Sequence, residues 1–242
     1  MELAPVILFV YNRPEHTRIC LEHLEQNELA AESELYIFAD GAKPGGEEAV
    51  AAVRRVVSRP WKFRRVTVVE RPENRGLAAN VIDGVTTVLK QYDRVIVLED
   101  DLVVSPWFLR FMNDALETYK EEEQVCHVTC HMLDHKGRLP ETFLIKWCNS
   151  WGWGTWRRAW QYFEPDGAKL LHEIESRGLC WQFDLDGGFH FTQMLRDQIA
   201  GRNNSWFVRW YASLFLRDKL MLGTERSLVD NVGFDGSGTH CN

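Results

Sequence analysis

Apolar runs and amphipathic stretches alternate along the first hundred residues. Val6 to Tyr11 (V-I-L-F-V-Y), Leu35 to Ala39, Val66 to Val69 and Val95 to Leu98 are short and rich in β-branched and aromatic residues. The uninterrupted run Val95 to Leu98 predicts a strand buried on both faces of a sheet, Val6 to Tyr11 another buried strand, and the other two runs further strands. Between them, apolar residues recur at helical spacing. Pro14 suits the start of a helix running to about Asn27, with Cys20, Leu21 and Leu24 on one face. Further helices are predicted from about Glu47 to Ser58 and from Leu77 to Leu89. Strand and helix alternate from the first strand to the fourth, which predicts an α/β, mostly parallel, doubly wound sheet flanked by helices. Right-handed crossovers then bring the loops after all four strands to one edge.

The second half has a different pattern. A helix is predicted from Pro106 to about Lys120 with Ser105 as its cap, then a strand from Val125 to Thr129. Trp147 to Trp160 (W-C-N-S-W-G-W-G-T-W-R-R-A-W) has five tryptophans and two glycines in fourteen residues and follows neither period. It reads as a structured loop leading into a helix. Helices are predicted over about His190 to Ala200 and Trp206 to Leu220, with Gly223 beyond, and a last short strand at Leu228-Val229. One domain over 1–242 is expected, with a soft boundary near residue 130 between two halves.

Composition narrows the class. The 242 residues suffice for a substantial core, and a net charge of −7 argues against broad nucleic-acid binding. No apolar run reaches the length of a membrane span and no signal peptide is read at the N-terminus, so a cytoplasmic location is expected, with peripheral association at the inner membrane face left open. Six cysteines lie scattered without a C-x-x-C pair, the pattern of reduced core thiols rather than a disulfide framework. Cys126, His127, Cys130 and His131 invite a zinc reading. Neighbours on a strand alternate faces, however, so four convergent ligands are not expected.

Chemistry concentrates at the predicted strand ends. Glu99, Asp100 and Asp101 follow the fourth strand directly, and three adjacent carboxylates need a cation or several donors opposite them unless they form a solvated turn. An all-oxygen set suits Mg²⁺ or Mn²⁺ bridging to a substrate phosphate. Tyr11-Asn12-Arg13, Asp40-Gly41 and Asn74-Arg75-Gly76 share the same predicted rim. Neither G-x-G-x-x-G nor a P-loop occurs in those loops, and Val10 to Pro14 lacks the glycine-rich cradle of nucleotidyl transfer, the second enzyme class considered. Tryptophan faces stack on sugar rings or simply fill cores. Trp151 and Trp153, flanked by glycines, are the candidates for an acceptor.

Taken in order, V-I-L-F-V-Y-N-R-P, F-A-D-G, N-R-G-L-A-A-N, V-L-E-D-D-L, W-G-W-G-T-W and the closing G-T-H resemble glycosyltransferases of the GT-A fold. The resemblance is to the family 2 enzymes and the N-acetylglucosaminyltransferase I type, and it covers nearly the whole chain. It implies a Rossmann-like nucleotide-sugar half (1–130) and a tryptophan-rich acceptor half (131–242). It further implies that Tyr11, Asn12 and Arg13 border the nucleotide, that Asp40 faces the base, and that Arg75, Gly76 and Asn80 line the sugar-nucleotide. Glu99-Asp100-Asp101 matches the family's acidic motif, with Asp101 the metal ligand and His240 completing the site around Mn²⁺ or Mg²⁺. The implied partners are a UDP-sugar first of all and a carbohydrate or lipid-linked carbohydrate acceptor, in an inverting transfer serving surface-glycan assembly.

The sequence departs from the family at one place. The acidic x-E-D motif expected before the last long helix is replaced by Arg202-Asn203-Asn204-Ser205-Trp206. An amide does not accept a proton near neutral pH, so Asn204 makes a poor base. Asp184 and Asp186 are the nearest replacements, and helix capping explains them equally well. A chain that binds donor without turning it over is the non-catalytic alternative.

Overall fold

In the computed structural model, which describes residues 2–133 and 135–236, the chain winds around one eight-stranded mixed sheet. The first half is β1 (Val6–Val10), α1 (Pro14–Glu25), β2 (Glu34–Ala39), α2 (Glu47–Val57), β3 (Arg65–Glu70), α3 (Leu77–Leu89) and β4 (Arg94–Glu99). These strands lie parallel in the order β3-β2-β1-β4, as the alternation predicts. Every residue of β1 is buried. Ile7 and Phe9 meet Val81 and Val85 of α3 on one face, while Val6, Leu8 and Val10 meet Leu21 and Leu24 of α1 on the other. Two apolar faces explain why the run carries no polar interruption.

The chain continues through β5 (Leu102–Val104), α4 (Phe108–Thr118), β6 (Val125–Thr129), β7 (Thr142–Ile145), β8 (Trp153–Trp156) and α5 (Arg157–Trp160). It ends with α6 (Gly167–Ser176), α7 (Cys180–Phe183), α8 (Phe191–Ile199), α9 (Trp206–Phe215), β9 (Leu220–Thr224) and β10 (Val229–Asn231). β8 inserts antiparallel between β4 and β6, and β9 pairs parallel to β6, so the carboxyl ends of β4, β6 and β9 open on one edge. No helix among the described residues is long and apolar enough to cross a membrane.

Three expectations are corrected. Leu102–Val104 forms a strand paired with Val229–Asn231, and the next helix starts at Phe108 rather than Pro106. Ser105 donates its amide to the Leu228 carbonyl, which holds the chain extended where a cap was expected. The predicted helix over 206–220 stops at Phe215, since Leu220–Thr224 finds ladder partners on both sides in β6 and β7. Within the tryptophan run, W-G-T-W is strand β8. Gly154 is needed there, because a Cβ would lie 2.9 Å from Met112 Cε and 3.1 Å from the Val95 carbonyl oxygen.

Candidate active site

The loops after β1, β2, β3 and β4 meet on one rim. Arg13, at the amino end of α1, reaches across to the acids after β4. Its Nη2 donates to Asp100 Oδ1 at 2.5 Å and to Asp101 Oδ2 at 2.9 Å. Asp100 is buried and also accepts from the Tyr11 amide at 3.3 Å. Burial works against the Arg13 charge, but the Asp100 and Asp101 carboxylates outweigh it and hold the guanidinium protonated. Glu99 is pushed up to about 8 by burial first and then by the charges of Asp101 and Asp100. Asp100 is also raised by burial, with Arg13 opposing. The second guanidinium nitrogen, Arg13 Nη1, is buried without a hydrogen-bond partner among the described residues.

The tail after β10 lies over this ion cluster. The Val232 amide donates to the Asp101 carbonyl at 2.9 Å, and Asp235 pairs with His16 of α1 at 3.3 Å. Gly233 packs so closely that a Cβ would lie 2.5 Å from Asp101 Oδ2 and 3.1 Å from Arg13 Nη1. His240 lies outside the described residues.

Asp40 organises the neighbouring part of the rim. At 4% exposure, its carboxylate accepts from the amides of Gly41 (2.9 Å), Arg75 (2.9 Å) and Gly76 (3.0 Å) and from Asn74 Nδ2 (3.1 Å). Four bonds match the acceptor capacity of a carboxylate, so Asp40 holds the loop before α3 in place. Gly76 has φ 74° and ψ 158°, a backbone region open to glycine, and it begins α3. Gly41 lets the two loops touch, since a Cβ there would lie 2.2 Å from the Glu73 carbonyl carbon. Arg75 pairs with Asp83 at 3.2 Å. Asn80 is buried, and its Oδ1 accepts from Arg71 Nε at 3.1 Å, which braces the end of β3 against α3.

Asn204 joins this site from the second half. Its Nδ2 lies 4.0 Å from where a Gly76 Cβ would stand, and the residue is exposed. Ser205 behind it caps α9, accepting from the Val208 amide at 3.2 Å. Asp184 accepts from the Thr192 amide at 2.6 Å in the first turn of α8, the capping reading. Asp186 is exposed in a left-handed turn, φ 53°.

The tryptophans divide by burial. Trp153, 1% exposed, is stacked between His127 (centroids 5.3 Å apart) and Trp206 (5.1 Å), so its ring faces are occupied by protein. This corrects the pairing of Trp153 with Trp151 as acceptor candidates: β8 lies inside the sheet with every residue buried, and Trp153 packs among Trp160, Trp206 and Trp210. Trp151 remains half-buried at the rim, edge-on to Phe234 at 5.7 Å. Both ring nitrogens of His127 are taken, Nδ1 by Trp210 Nε1 (3.1 Å) and Nε2 by the Asn149 carbonyl (2.9 Å). Four cysteines, Cys20, Cys126, Cys130 and Cys148, are free and buried, and Cys180 is free and half-buried.

Sequence reasoning gave Gly233 and His16 no role at the site and weighed His131 only as a zinc ligand. The signal for His131 was available: positions 127, 129 and 131 are polar in an otherwise apolar segment, which marks one strand face as hydrogen-bonding.

Among known proteins, the family described as Glycosyl transferase family 2 matches residues 6–177. No curated protein matches. Of solved structures, S. aureus TarS is similar at 19% identity and a TM-score of 0.37, over 57% of this chain and 23% of that one. A mannosyltransferase from Pyrobaculum calidifontis, solved with GDP-Man and Mn²⁺, is 20% identical with a TM-score of 0.37, over 54% and 38%. A cytidylyltransferase from Leptospira borgpetersenii is 10% identical with a TM-score of 0.42, over 67% and 63%. This chain thus spans less than two thirds of the length of each.

Proposed function

The chain belongs to glycosyl transferase family 2, and on that premise we propose that it moves a sugar from a nucleoside-diphosphate donor to a carbohydrate-type acceptor. A UDP-sugar is the first donor to test, and a carbohydrate or lipid-linked carbohydrate of surface-glycan assembly the acceptor. The transfer is read as inverting and dependent on a divalent ion. The observation that carries this reading is the ion cluster at the carboxyl end of β4, where one guanidinium faces Asp100 and Asp101 together.

The cluster's charge supports a further cation. Two carboxylates against one guanidinium leave a net negative site, which repels a diphosphate; adding a dication reverses the sign. Among the described residues no three His, Cys, Asp or Glu side chains converge as a complete cage. Mg²⁺-type sites, however, use one or two carboxylates plus substrate phosphates and water. Asp101 fits that mode, with His240 as its proposed second protein ligand. When bound, the ion acts as a Lewis acid on the leaving diphosphate.

The chain's own groups supply the rest. Arg13 Nη1, a buried donor with no acceptor among the described residues, is suited to a phosphate oxygen, and satisfying it removes a desolvation cost of about 1–3 kcal/mol. Tyr11 and Asn12 border the same edge for the nucleoside. The loop Asn74–Gly76, held by Asp40, offers a rigid wall at the start of α3. No acid stands at Asn204, so the attacking hydroxyl lacks a base there; Asp186 is the exposed carboxylate proposed to take its proton.

Nucleoside-diphosphate release from a panel of UDP-, GDP- and dTDP-sugars, with Mn²⁺ and then with EDTA, tests the reading. Release by at least one donor, abolished by EDTA and by Asp101→Ala, is expected. If no sugar nucleotide binds by calorimetry with Mn²⁺ present, sugar transfer is ruled out. The amide at Asn204 favours one second reading, a donor-binding chain without turnover; that chain binds the donor and releases no diphosphate.

A further inference from the structure

Three polar side chains of one β6 face pin the loop that carries Trp151. His127 Nε2 bonds the Asn149 carbonyl at 2.9 Å, and Thr129 Oγ1 donates to the carbonyls of Trp151 (3.3 Å) and Gly152 (3.2 Å). The third is His131, just past the strand, whose Nδ1 lies 2.6 Å from Asn149 Nδ2. The Trp151 amide donates to Asn149 Oδ1 at 2.9 Å, which sets the orientation of that amide and aims its N–H at His131. A donor pointed at Nδ1 leaves that nitrogen unprotonated, so the neutral ring carries its proton on Nε2. Burial favours the neutral ring, with Asp230 pulling the other way. The result is a preset Nε2–H donor to which no described residue is hydrogen-bonded.

Its surroundings form a strip leading to the acids. The Trp151 ring stands edge-on to His131, centroids 4.4 Å apart at 66°. Phe234 follows at 5.7 Å from Trp151 and is 65% exposed, so its ring extends the aromatic strip toward solvent. The next residue back, Gly233, lies against Asp101 and Arg13. Aromatic rings and one N–H donor, beside the ion cluster, recognise a ring with C–H faces and hydroxyl groups. The nearby Asp230 carboxylate disfavours an anionic occupant.

We infer that His131, Trp151 and Phe234 form the subsite for a neutral pyranose acceptor, the aromatic rings against its C–H face and His131 Nε2–H donating to a hydroxyl. This rests on the sugar-transfer reading above, and it adds two residues, His131 and Phe234, that the family resemblance does not supply.

The probes are methyl glycosides of glucose, galactose, mannose and N-acetylglucosamine, added to the full chain with Mn²⁺ and UDP. Saturation-transfer NMR reads contact with the sugar C–H protons, and ¹⁵N imidazole spectra read the His131 tautomer. At least one glycoside is expected to bind and to shift the His131 Nε2 signal. Phe234→Ala and His131→Phe should each weaken it by roughly tenfold, the scale of one stacking contact or hydrogen bond. His131→Gln, whose amide N–H reaches the place of Nε2–H, should restore most of the affinity. Trp151→Ala is a third arm; should it fail to fold, the exposed Phe234 position still decides the matter. The inference is overturned if no glycoside binds, if binding survives Phe234→Ala and His131→Phe alike, or if the proton resides on Nδ1. Donor hydrolysis measured in parallel separates the two failures: hydrolysis without glycoside effects removes only this subsite, whereas no bound sugar nucleotide removes sugar transfer itself.

Discussion

At the scale of single residues, charge and hydrogen-bond capacity decide roles that identity alone leaves open. Asp40 and Asp101 are both strand-end aspartates, yet one spends its four acceptor sites on a loop and the other faces a guanidinium and the rim. Asn204 sits against Gly76 at the rim with an amide, which accepts no proton near neutral pH. With Asp186 as the proposed base, Asp186→Asn is expected to lower turnover by roughly a hundredfold, the lower end of general-base catalysis, while Asn204→Asp leaves it unchanged; an unchanged kcat in Asp186→Asn at saturating donor would show that the base lies elsewhere. His127 makes a second residue-level prediction. Burial pushes it down to about 3, well below its unfolded value near 6.5. A depressed histidine contributes stability that is complete above pH 6.5 and lost as pH falls toward 3. Between pH 7 and pH 5 the chain should lose about 2 kcal/mol from this group, and urea titrations of His127→Gln should show a correspondingly flatter pH dependence.

At the scale of elements, most of the parallel half was legible. The four runs are β1 to β4 within a residue or two; β1, β2 and β4 are buried on both faces and so need uninterrupted apolar sequence, while V-T-V-V of the edge strand β3 is only partly buried. The second half was less so. L-M-L-G-T reads as the last helical residue and the turn after it, and W-G-T-W reads as a loop, because their strand identity depends on neighbours distant in the chain. Gly41 shows how elements are brought together at the site. A methyl group there meets the Glu73 backbone, which has no rotamer to yield. Gly41→Ala should cost about 1–3 kcal/mol in chemical denaturation and weaken donor binding as the Asn74–Gly76 loop is displaced. Wild-type stability and affinity in that variant would contradict the close approach.

At the scale of the whole molecule, the rim joins segments from both ends of the sequence. Arg13 follows the first strand, the acids follow the fourth, and Gly233 follows the last. A ligand seated there braces all of them and should stabilise the fold as a unit. A donor nucleotide with Mn²⁺ at about 100 times its Kd adds roughly 2.7 kcal/mol, which for a domain of this size raises Tm by about 5–10 °C. EDTA should return Tm to the ligand-free value; a nucleotide-dependent rise that ignores EDTA would separate donor binding from the ion.

Periodicity and strand-end chemistry, both local properties, determined the parallel half of the sheet and the carboxylates, guanidinium and glycines that line its edge. Tertiary packing decided what those side chains are free to do. Trp153 became core because β8 inserted inside the sheet and α9 covered its ring, Asn80 became a brace because Arg71 reached it, and His131 became a donor because Asn149 met it from a loop eighteen residues away. A sequence specifies which groups exist and their local spacing. Which of their hydrogen-bonding sites remain for a ligand depends on partners that only folding brings within 3 Å.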